Sequence, residues 1–397
     1  MHIVFFTHPD FLGRDKMPGF ASMPRFARML ADGMQQRGHQ VEMWAPQSRF
    51  FKLPVSGSLK KWLGYIDQYL LFPVEVRKRL KAHTSDSLFV FTDQALGPWV
   101  PLVADRPHVI HCHDFMAQHS ALGKIPGNST SWTGRHYQDM IRKGYSRGKN
   151  FISVSNKTRV DLQESLLSVP SHSEVVYNGL NSSLKFYEPS LARETFGKKI
   201  ALELTSGYLL HVGGNQWYKN RKGVVQLYEA WRALSNSKLP LILIGEKLSP
   251  ELTQLIAQSP FKADIHQFTG LSDEFVNFAY AGASVFLFPS LAEGFGWPIA
   301  EAMACGSLVI TTNEAPMTEV AGGASFLIPR KPQDEVAAKA WAQEGAKVVD
   351  EVITLPDAER NKFVEAGLVN AYRFNSENIL NQIEAIYKRV FYENHTS

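Results

Sequence analysis

Two glutamates in one short run carry the clearest chemical signal in this chain. Glu293 and Glu301 lie in Pro289-Ser290-Leu291-Ala292-Glu293-Gly294-Phe295-Gly296-Trp297-Pro298-Ile299-Ala300-Glu301-Ala302-Met303-Ala304. An apolar run, Val285 to Phe288, comes just before it and reads as a strand; the residues after Pro298 read as a helix. Two carboxylates therefore flank a glycine-rich strand-to-helix turn, the place where open α/β sheets bind ligands. Carboxylates accept hydrogen bonds from the hydroxyls of a polyhydroxyl ligand. The amides around Gly294, Phe295 and Gly296 can face a phosphate. Pro298 suits the first position of a helix, which places Glu301 about one turn in and Glu293 in the turn before it. A pair of carboxylates about 5 Å apart is also the equipment of a retaining glycoside hydrolase, so that chemistry is a competing reading.

Three further groups supply complementary chemistry. In Val109-Ile110-His111-Cys112-His113-Asp114 two histidines straddle a cysteine at a strand end. The period of two puts His111 and His113 on one face. Too few ligands stand near them for zinc, so no metal site is expected. His113, at the strand terminus, is the candidate to meet a hydroxyl, while His111 reads as core; Asp114 is a candidate acceptor contact or helix cap. Gly213 and Gly214 end another strand, followed by Trp217-Tyr218-Lys219-Asn220-Arg221-Lys222-Gly223 and a helix. Lys219, Arg221 and Lys222 bring positive charge to a helix N-terminus, which suits paired phosphates. Gly19, in the loop after the first strand, leaves room for close approach of a ligand.

The elements that must position these groups alternate regularly. Strands are expected at Ile3–Thr7, Val41–Trp44, Leu88–Thr92, Val109–Cys112, Phe151–Val154 and Glu174–Tyr177. A second series is expected at Tyr208–Val212, Leu241–Ile244, Asp264–Phe268, Val285–Phe288, Leu308–Thr311 and Ser325–Ile328. Helical runs fit at Arg25–Gln36, Gly134–Gly144 and Lys157–Leu166, near Gly223, Pro250, Asp273, Pro298 and Met317, and at Ser376–Phe391. This is the α/β pattern of parallel sheets. Residues 180–205 read as a polar, linker-like stretch after the turn Asn178-Gly179. The expected organisation is two doubly wound, Rossmann-like domains facing across a cleft. Residues 1–185 form the acceptor-side domain, completed by the C-terminal helix 376–397, and residues 186–375 form the donor-binding domain. Gly13 and Gly19 do not match the dinucleotide fingerprint, so no NAD is expected.

With 397 residues, 44% of them hydrophobic and 20% charged, the chain is an ordinary two-domain globular protein by composition. The net charge of +4 is uneven: residues 1–185 carry 23 Lys plus Arg against 14 Asp plus Glu, or +9, leaving −5 for the remainder. The basic half could face a phosphorylated substrate or an acidic lipid surface. Segment 58–83, with Trp62, Tyr65, Tyr69 and Leu70 among Lys60, Lys61 and Arg77 to Lys81, is basic and amphipathic, and suits an anionic membrane or an acceptor. Pro73 is expected to divide it. The charge is diffuse and no aromatic–basic reader module is present, which argues against nucleic acid. Two cysteines, no signal-peptide pattern and no apolar run of spanning length point to a cytoplasmic protein, with peripheral contact at the inner membrane face as an extension of that reading.

Taken together, these runs resemble the family 4 retaining glycosyltransferases of GT-B fold. The resemblance begins at the first loop and Arg37-Gly38-His39-Gln40-Val41. It continues through His111-Cys112-His113-Asp114 and Val176-Tyr177-Asn178-Gly179, and it is strongest across Glu293 to Ala304. It implies transfer of a hexose from a nucleoside diphosphate sugar to a hydroxyl of a saccharide or lipid-linked acceptor, with retention, no metal and no cofactor. Glu301 would hold the donor ribose, Glu293 the donor sugar ring, and His113 the sugar near its C6 hydroxyl. Asp114 and Asn178 are additional candidates. The family's tandem glycine maps to Gly19, followed here by Phe20. Its diphosphate arginine corresponds to Gly214. Counting back from the helix puts Lys222 in the place of the family's lysine and is preferred; counting forward from the strand selects Lys219, and Arg221 could replace the arginine. The alternatives are a nucleotide-sugar epimerase or hydrolase of the same architecture, or a nucleotide-sugar binding protein without turnover.

Overall fold

A computed structural model describes residues 1–12, 22–81, 86–125 and 127–393. Gly19 lies outside the described residues. The chain forms two compact units, Met1–Tyr177 with Glu377–Ser397, and Asn178–Ser376.

The first unit is built on a six-stranded parallel sheet: β1 (His2–Phe6), β2 (Gln40–Trp44), β3 (Ser87–Phe91), β4 (His108–Cys112), β5 (Asn150–Ser153) and β6 (His172–Val175), in the order β2-β1-β3-β4-β5-β6. β1, β3 and β4 are buried along nearly their whole length, as strands covered on both faces must be. Phe6 packs on Trp44, Phe72, Phe89 and Phe91 in the core on one face. The helix Ser376–Glu393 covers part of the other face: Tyr387 meets Phe5 and donates or accepts a 2.6 Å bond at His111 Nε2, and Arg37 and His39 bond Glu377 and Glu384.

The second unit repeats the plan with β7 (Leu209–Gly213), β8 (Leu241–Gly245), β9 (Ile265–Phe268), β10 (Val285–Phe288), β11 (Val309–Thr312) and β12 (Phe326–Ile328), in the order β12-β11-β10-β7-β8-β9 and parallel throughout. Each of the twelve strands expected from the sequence is present, shifted by at most two residues at either end.

Two local expectations are corrected. Residues 57–80 are helical throughout, as Gly57–Ile66, a π-helical turn Asp67–Leu71 and Phe72–Leu80. Pro73 does not divide the segment; it enters at the first turn of the last piece, where the wider π turn has already displaced the hydrogen bonds a proline cannot make. The stretch 180–205 is no linker, because it contains the helix Pro189–Ile200. Ala192 and Phe196 of that helix are buried, and Phe196 packs on Tyr208. Cys112 and Cys305 are buried free thiols.

His111 is a core residue with a titration consequence. Burial depresses its pKa to about 3, against about 6.5 for an unfolded chain. The unfolded state therefore takes up a proton that the folded state refuses, and stability falls as pH drops from about 6.5 toward 3. A His111→Gln variant should show a shallower decline of thermal midpoint across that window than the parent, and equal slopes would remove His111 as a source of the acid sensitivity.

Candidate functional site

The site starts from the order of the second sheet. β7 lies between β8 and β10, so the chain runs from β7 outward through β8 and β9, then returns to the opposite side at β10. Ligands bind outside the carboxyl ends of the strands at such a reversal. The loops that leave β7 and β10 there are the two runs containing Lys219 and Glu293.

Three contacts join these loops. Leu291 N donates to Tyr218 O at 2.7 Å. Asn220 Nδ2 donates to Pro289 O at 2.8 Å. Lys219 Nζ bonds both oxygens of Glu293, at 2.8 and 3.0 Å. The last pair is largely desolvated, with 16% of the lysine and 7% of the glutamate side chain exposed. Lys219 also lies over the Phe288 ring. Asn220 adopts the left-handed conformation at φ 52°, caps the helix Arg221–Leu234 and accepts from Gly223 N at 3.2 Å. Asparagine tolerates that backbone region better than most residues. Sequence reasoning passed over Asn220; a polar residue directly ahead of an amphipathic helix was the signal.

Arg221 and Lys222 diverge. Arg221 turns inward and is buried, donating from Nη1 to Asn215 Oδ1 at 2.7 Å and to Glu246 O at 2.9 Å. Its Nε and Nη2 have no acceptor among the described residues. Burial lowers its pKa to about 10, so it stays charged at neutral pH. Lys222 pairs with Glu335 at 2.9 Å, with 39% and 70% of the two side chains exposed. The structure thus brings Lys219, not Lys222, to the glutamate of the opposite loop. Turning the first helical turn by one residue is enough to separate them, which counting along the sequence could not resolve. Gly214 follows β7 and is buried, against Gln216.

Glu301 lies in the helix Trp297–Ala304 and accepts from Tyr280 OH at 3.2 Å. Gly296 caps that helix at φ 101°, a conformation that requires glycine. Phe295 is buried against Phe374 and Trp297, so its ring anchors the turn. Gly294 is half-buried beside Glu293. Asn178 is buried at the start of this unit, and its Oδ1 has no donor among the described residues. His211, on β7, donates from Nδ1 to Leu287 O at 2.9 Å, and burial holds its pKa near 3. It is a neutral structural tie between β7 and β10.

His113 belongs to the first unit. It sits just beyond β4, donates from Nε2 to Thr92 O at 2.9 Å and meets Phe26 edge to face at 4.5 Å. Burial lowers its pKa, outweighing the opposite pull of Asp93. The neutral ring therefore carries its proton on Nε2 and leaves Nδ1 as an acceptor. Asp114 accepts from Met116 N at 3.1 Å, just ahead of the helix Met116–Ala121. Among the described residues, one trio with metal-ligand chemistry stands elsewhere in this unit: His119, Asp161 and Glu164. Its carboxylates are already bonded to Lys157 and Lys124.

The charged pair across the loops has a measurable signature. Removing one partner from a well-buried ion pair costs about 3–5 kcal/mol, whereas an exposed pair is worth about 0–1 kcal/mol. Lys219→Ala should therefore lower unfolding stability by roughly 3 kcal/mol, while Lys222→Ala stays within about 1 kcal/mol of the parent. Similar urea midpoints for the two variants would contradict the difference in their environments.

Comparison with known proteins bears on both units. Residues 23–184 match the family model described as Glycosyltransferase Family 4, and residues 206–342 match Glycosyl transferases group 1. The chain is 32% identical over 184 residues to O-antigen chain mannosyltransferase B of Escherichia coli, covering 46% of each chain. It is 29% identical over 274 residues to the MMP alpha-(1->4)-mannosyltransferase of Mycolicibacterium hassiacum, covering 66% of this chain and 62% of that one. The alignments thus span about half the length of the first relative and under two thirds of the second. Among solved structures, HepE of Anabaena, in complex with UDP-glucose, superposes with a TM-score of 0.68 over 97% of this chain and 98% of its own, at 18% identity. The two doubly wound sheets are those of the GT-B fold.

Proposed function

The chain belongs to the group 1, family 4 glycosyltransferases, and from that premise we propose that it transfers a hexose, with retention of anomeric configuration and without a metal, from a nucleoside diphosphate sugar to a hydroxyl of a saccharide or lipid-linked acceptor. Mannose is the sugar we assign, because both curated relatives are named mannosyltransferases. The observation that carries the proposal is the joining of the β7 and β10 loops at the sheet reversal by Lys219 and Glu293, with Glu301 in the helix that follows the β10 loop.

Breaking the bond from sugar to diphosphate develops negative charge on the leaving group. Fixed positive groups in a partly desolvated site stabilise such charge without reorganising at the moment of reaction. Lys219 is held in place by Glu293 and by the Phe288 ring, so its ammonium is preorganised. Arg221 adds charge from beneath the same loop. The amides at the start of the helix Trp297–Ala304 add a further positive end, with Gly294 and Gly296 allowing close approach. Glu301 would accept from the donor ribose and Glu293 from the sugar hydroxyls. His113 Nδ1 would accept from a sugar hydroxyl near the reacting centre. A glycoside hydrolase fits less well, because its nucleophilic carboxylate would here be the one occupied by Lys219.

Loss of hydrogen bonds to a charged carboxylate costs about 1.5–3 kcal/mol. Glu301→Ala should accordingly weaken binding of the free nucleoside diphosphate tenfold or more in calorimetry. An unchanged affinity would remove Glu301 from the nucleotide.

The same proposal includes peripheral contact with an anionic bilayer. No helix among the described residues is long and apolar enough to cross a membrane. The helical segment from Gly57 exposes Leu59, Trp62 and Leu70, with Trp62 and Leu70 more than 60% accessible, beside Lys60 and Lys61. Apolar side chains among lysines suit the headgroup boundary of acidic lipids. Sedimentation with phosphatidylglycerol vesicles should fall severalfold in a Trp62→Ser, Leu70→Ser variant; equal sedimentation of variant and parent would discard the contact.

A further inference from the structure

The first unit holds an imidazole nitrogen that is buried and has no hydrogen-bond partner among the described residues, Nε2 of His119. The helix Met116–Ala121 follows β4, and the helix Asn156–Ser165 follows β5. β4 and β5 are parallel neighbours, so both helices leave the same edge of the sheet. His119 stands on the first helix, Asp161 and Glu164 on the second. The spacing of three places both carboxylates on one helix face. One ligand atom from each of the three residues lies within 4.8 Å of the others. His119 Nε2 is 3.8 Å from Asp161 Oδ1, too long for a hydrogen bond. The two side chains are only 16% and 13% exposed. A buried polar atom left unpaired is costly, and a cation is the partner that would satisfy this one together with both carboxylates.

The donor set selects the ion. Magnesium and calcium take oxygen ligands, whereas zinc combines imidazole nitrogen with carboxylate oxygen at about 2.0–2.2 Å. Ligands of a tetrahedral zinc stand roughly 3.4 Å apart at those bond lengths, so the trio needs only a small closure. Glu164 is exposed and has the freedom to supply it. Two ammonium groups answer the carboxylates in the structure. Lys157 Nζ bonds Asp161 at 2.5 and 2.6 Å, and Lys124 Nζ bonds Glu164 at 3.1 Å. The lysine side chains are 40% and 47% exposed, and pairs open to solvent in this way are weak. Either lysine can swing into water and free its carboxylate. With its proton on Nδ1, a neutral His119 presents the Nε2 lone pair as a ligand.

We propose that His119 Nε2, Asp161 and Glu164 bind a zinc ion, with water as the fourth ligand and Lys124 and Lys157 as its competitors. Three protein ligands and one water are a recognised zinc coordination. The site goes beyond the transfer proposed above, which uses no metal. Its effect is mechanical: the ion cross-links two helices on either side of the segment that carries His113. The carbonyl oxygen of His113 already accepts from Thr158 Oγ1 of the second helix at 3.2 Å.

The test is calorimetric titration of the untagged full chain, stripped of metal by a chelator, with zinc chloride and with magnesium chloride as the control. The parent should bind one zinc per chain and rise in thermal midpoint, and magnesium should do neither. Loss of an outer-shell partner typically costs about 10–100-fold in metal affinity, so loss of a ligand in His119→Gln or Asp161→Asn should cost at least as much. Lys124→Met should bind zinc severalfold tighter than the parent, because it removes a competitor and keeps every ligand. An ion held loosely by surface histidines would not respond to that change. Cobalt in place of zinc should give the visible absorption of a four-coordinate site in the parent and lose it in His119→Gln. A parent that binds no zinc would overturn the proposal, as would His119→Gln and Asp161→Asn proteins that bind it like the parent. An unchanged or weaker affinity in folded Lys124→Met would equally reject the competition on which the site is argued.

Discussion

An ion pair drawn out of water must be well matched or it destabilises the fold, and that constraint organises the second unit. Lys219 and Glu293 are 74 residues apart and belong to loops leaving two neighbouring strands. Their pairing depends on the parallel register of β7 and β10, which brings both loops to one edge of the sheet. It also depends on Asn220, whose left-handed backbone turns Lys219 back toward Pro289 before the helix Arg221–Leu234 begins. A carboxylate this enclosed is costly without a partner. The lysine is consequently held in one place, which is the condition for stabilising charge that appears only during a reaction.

The two sheets use the same geometric opportunity for different chemistry. Each is doubly wound, and each reverses its strand order beside its first strand. At that reversal the second unit carries a cation, two carboxylates and a glycine-capped helix N-terminus, which suits a polyhydroxyl ligand bearing phosphates. The first unit carries His8, bonded to Asp93, and His113, bonded to Thr92 O. Burial keeps His113 and His111 neutral. The imidazole of His8 is more open than either, and it bonds Asp93 at 2.8 Å.

Family membership and local chemistry agree on the class of reaction and differ in what they resolve. The matching models cover most of the strand–helix frame of each unit, residues 23–184 and 206–342. The residues that depart from the family pattern are decided locally. Gly214 ends the strand without a charge, and Lys219 at the other end of the same loop pairs with Glu293. Arg221, turned under the loop, acts as a brace through Asn215 and Glu246.

The sequence by itself determined the twelve strands, because runs such as Val285–Phe288 and Leu241–Gly245 are apolar on both faces and bounded by turn residues, a local signal that survives any tertiary arrangement. It also determined that Glu293 and Glu301 share one turn and helix, since Pro298 and Gly296 fix where that helix begins. Only the tertiary structure decided which lysine meets Glu293, because Lys219 and Lys222 differ by less than one helical turn and a single left-handed residue sends them to opposite surroundings. The helix Pro189–Ile200 was hidden for a related reason: its sequence is largely polar, and burial of Ala192 and Phe196 against neighbouring elements supplies what intrinsic propensity does not. The His8–Asp93 pair was illegible for the simplest physical reason, that strand register, and not spacing along the chain, puts distant residues at hydrogen-bond distance.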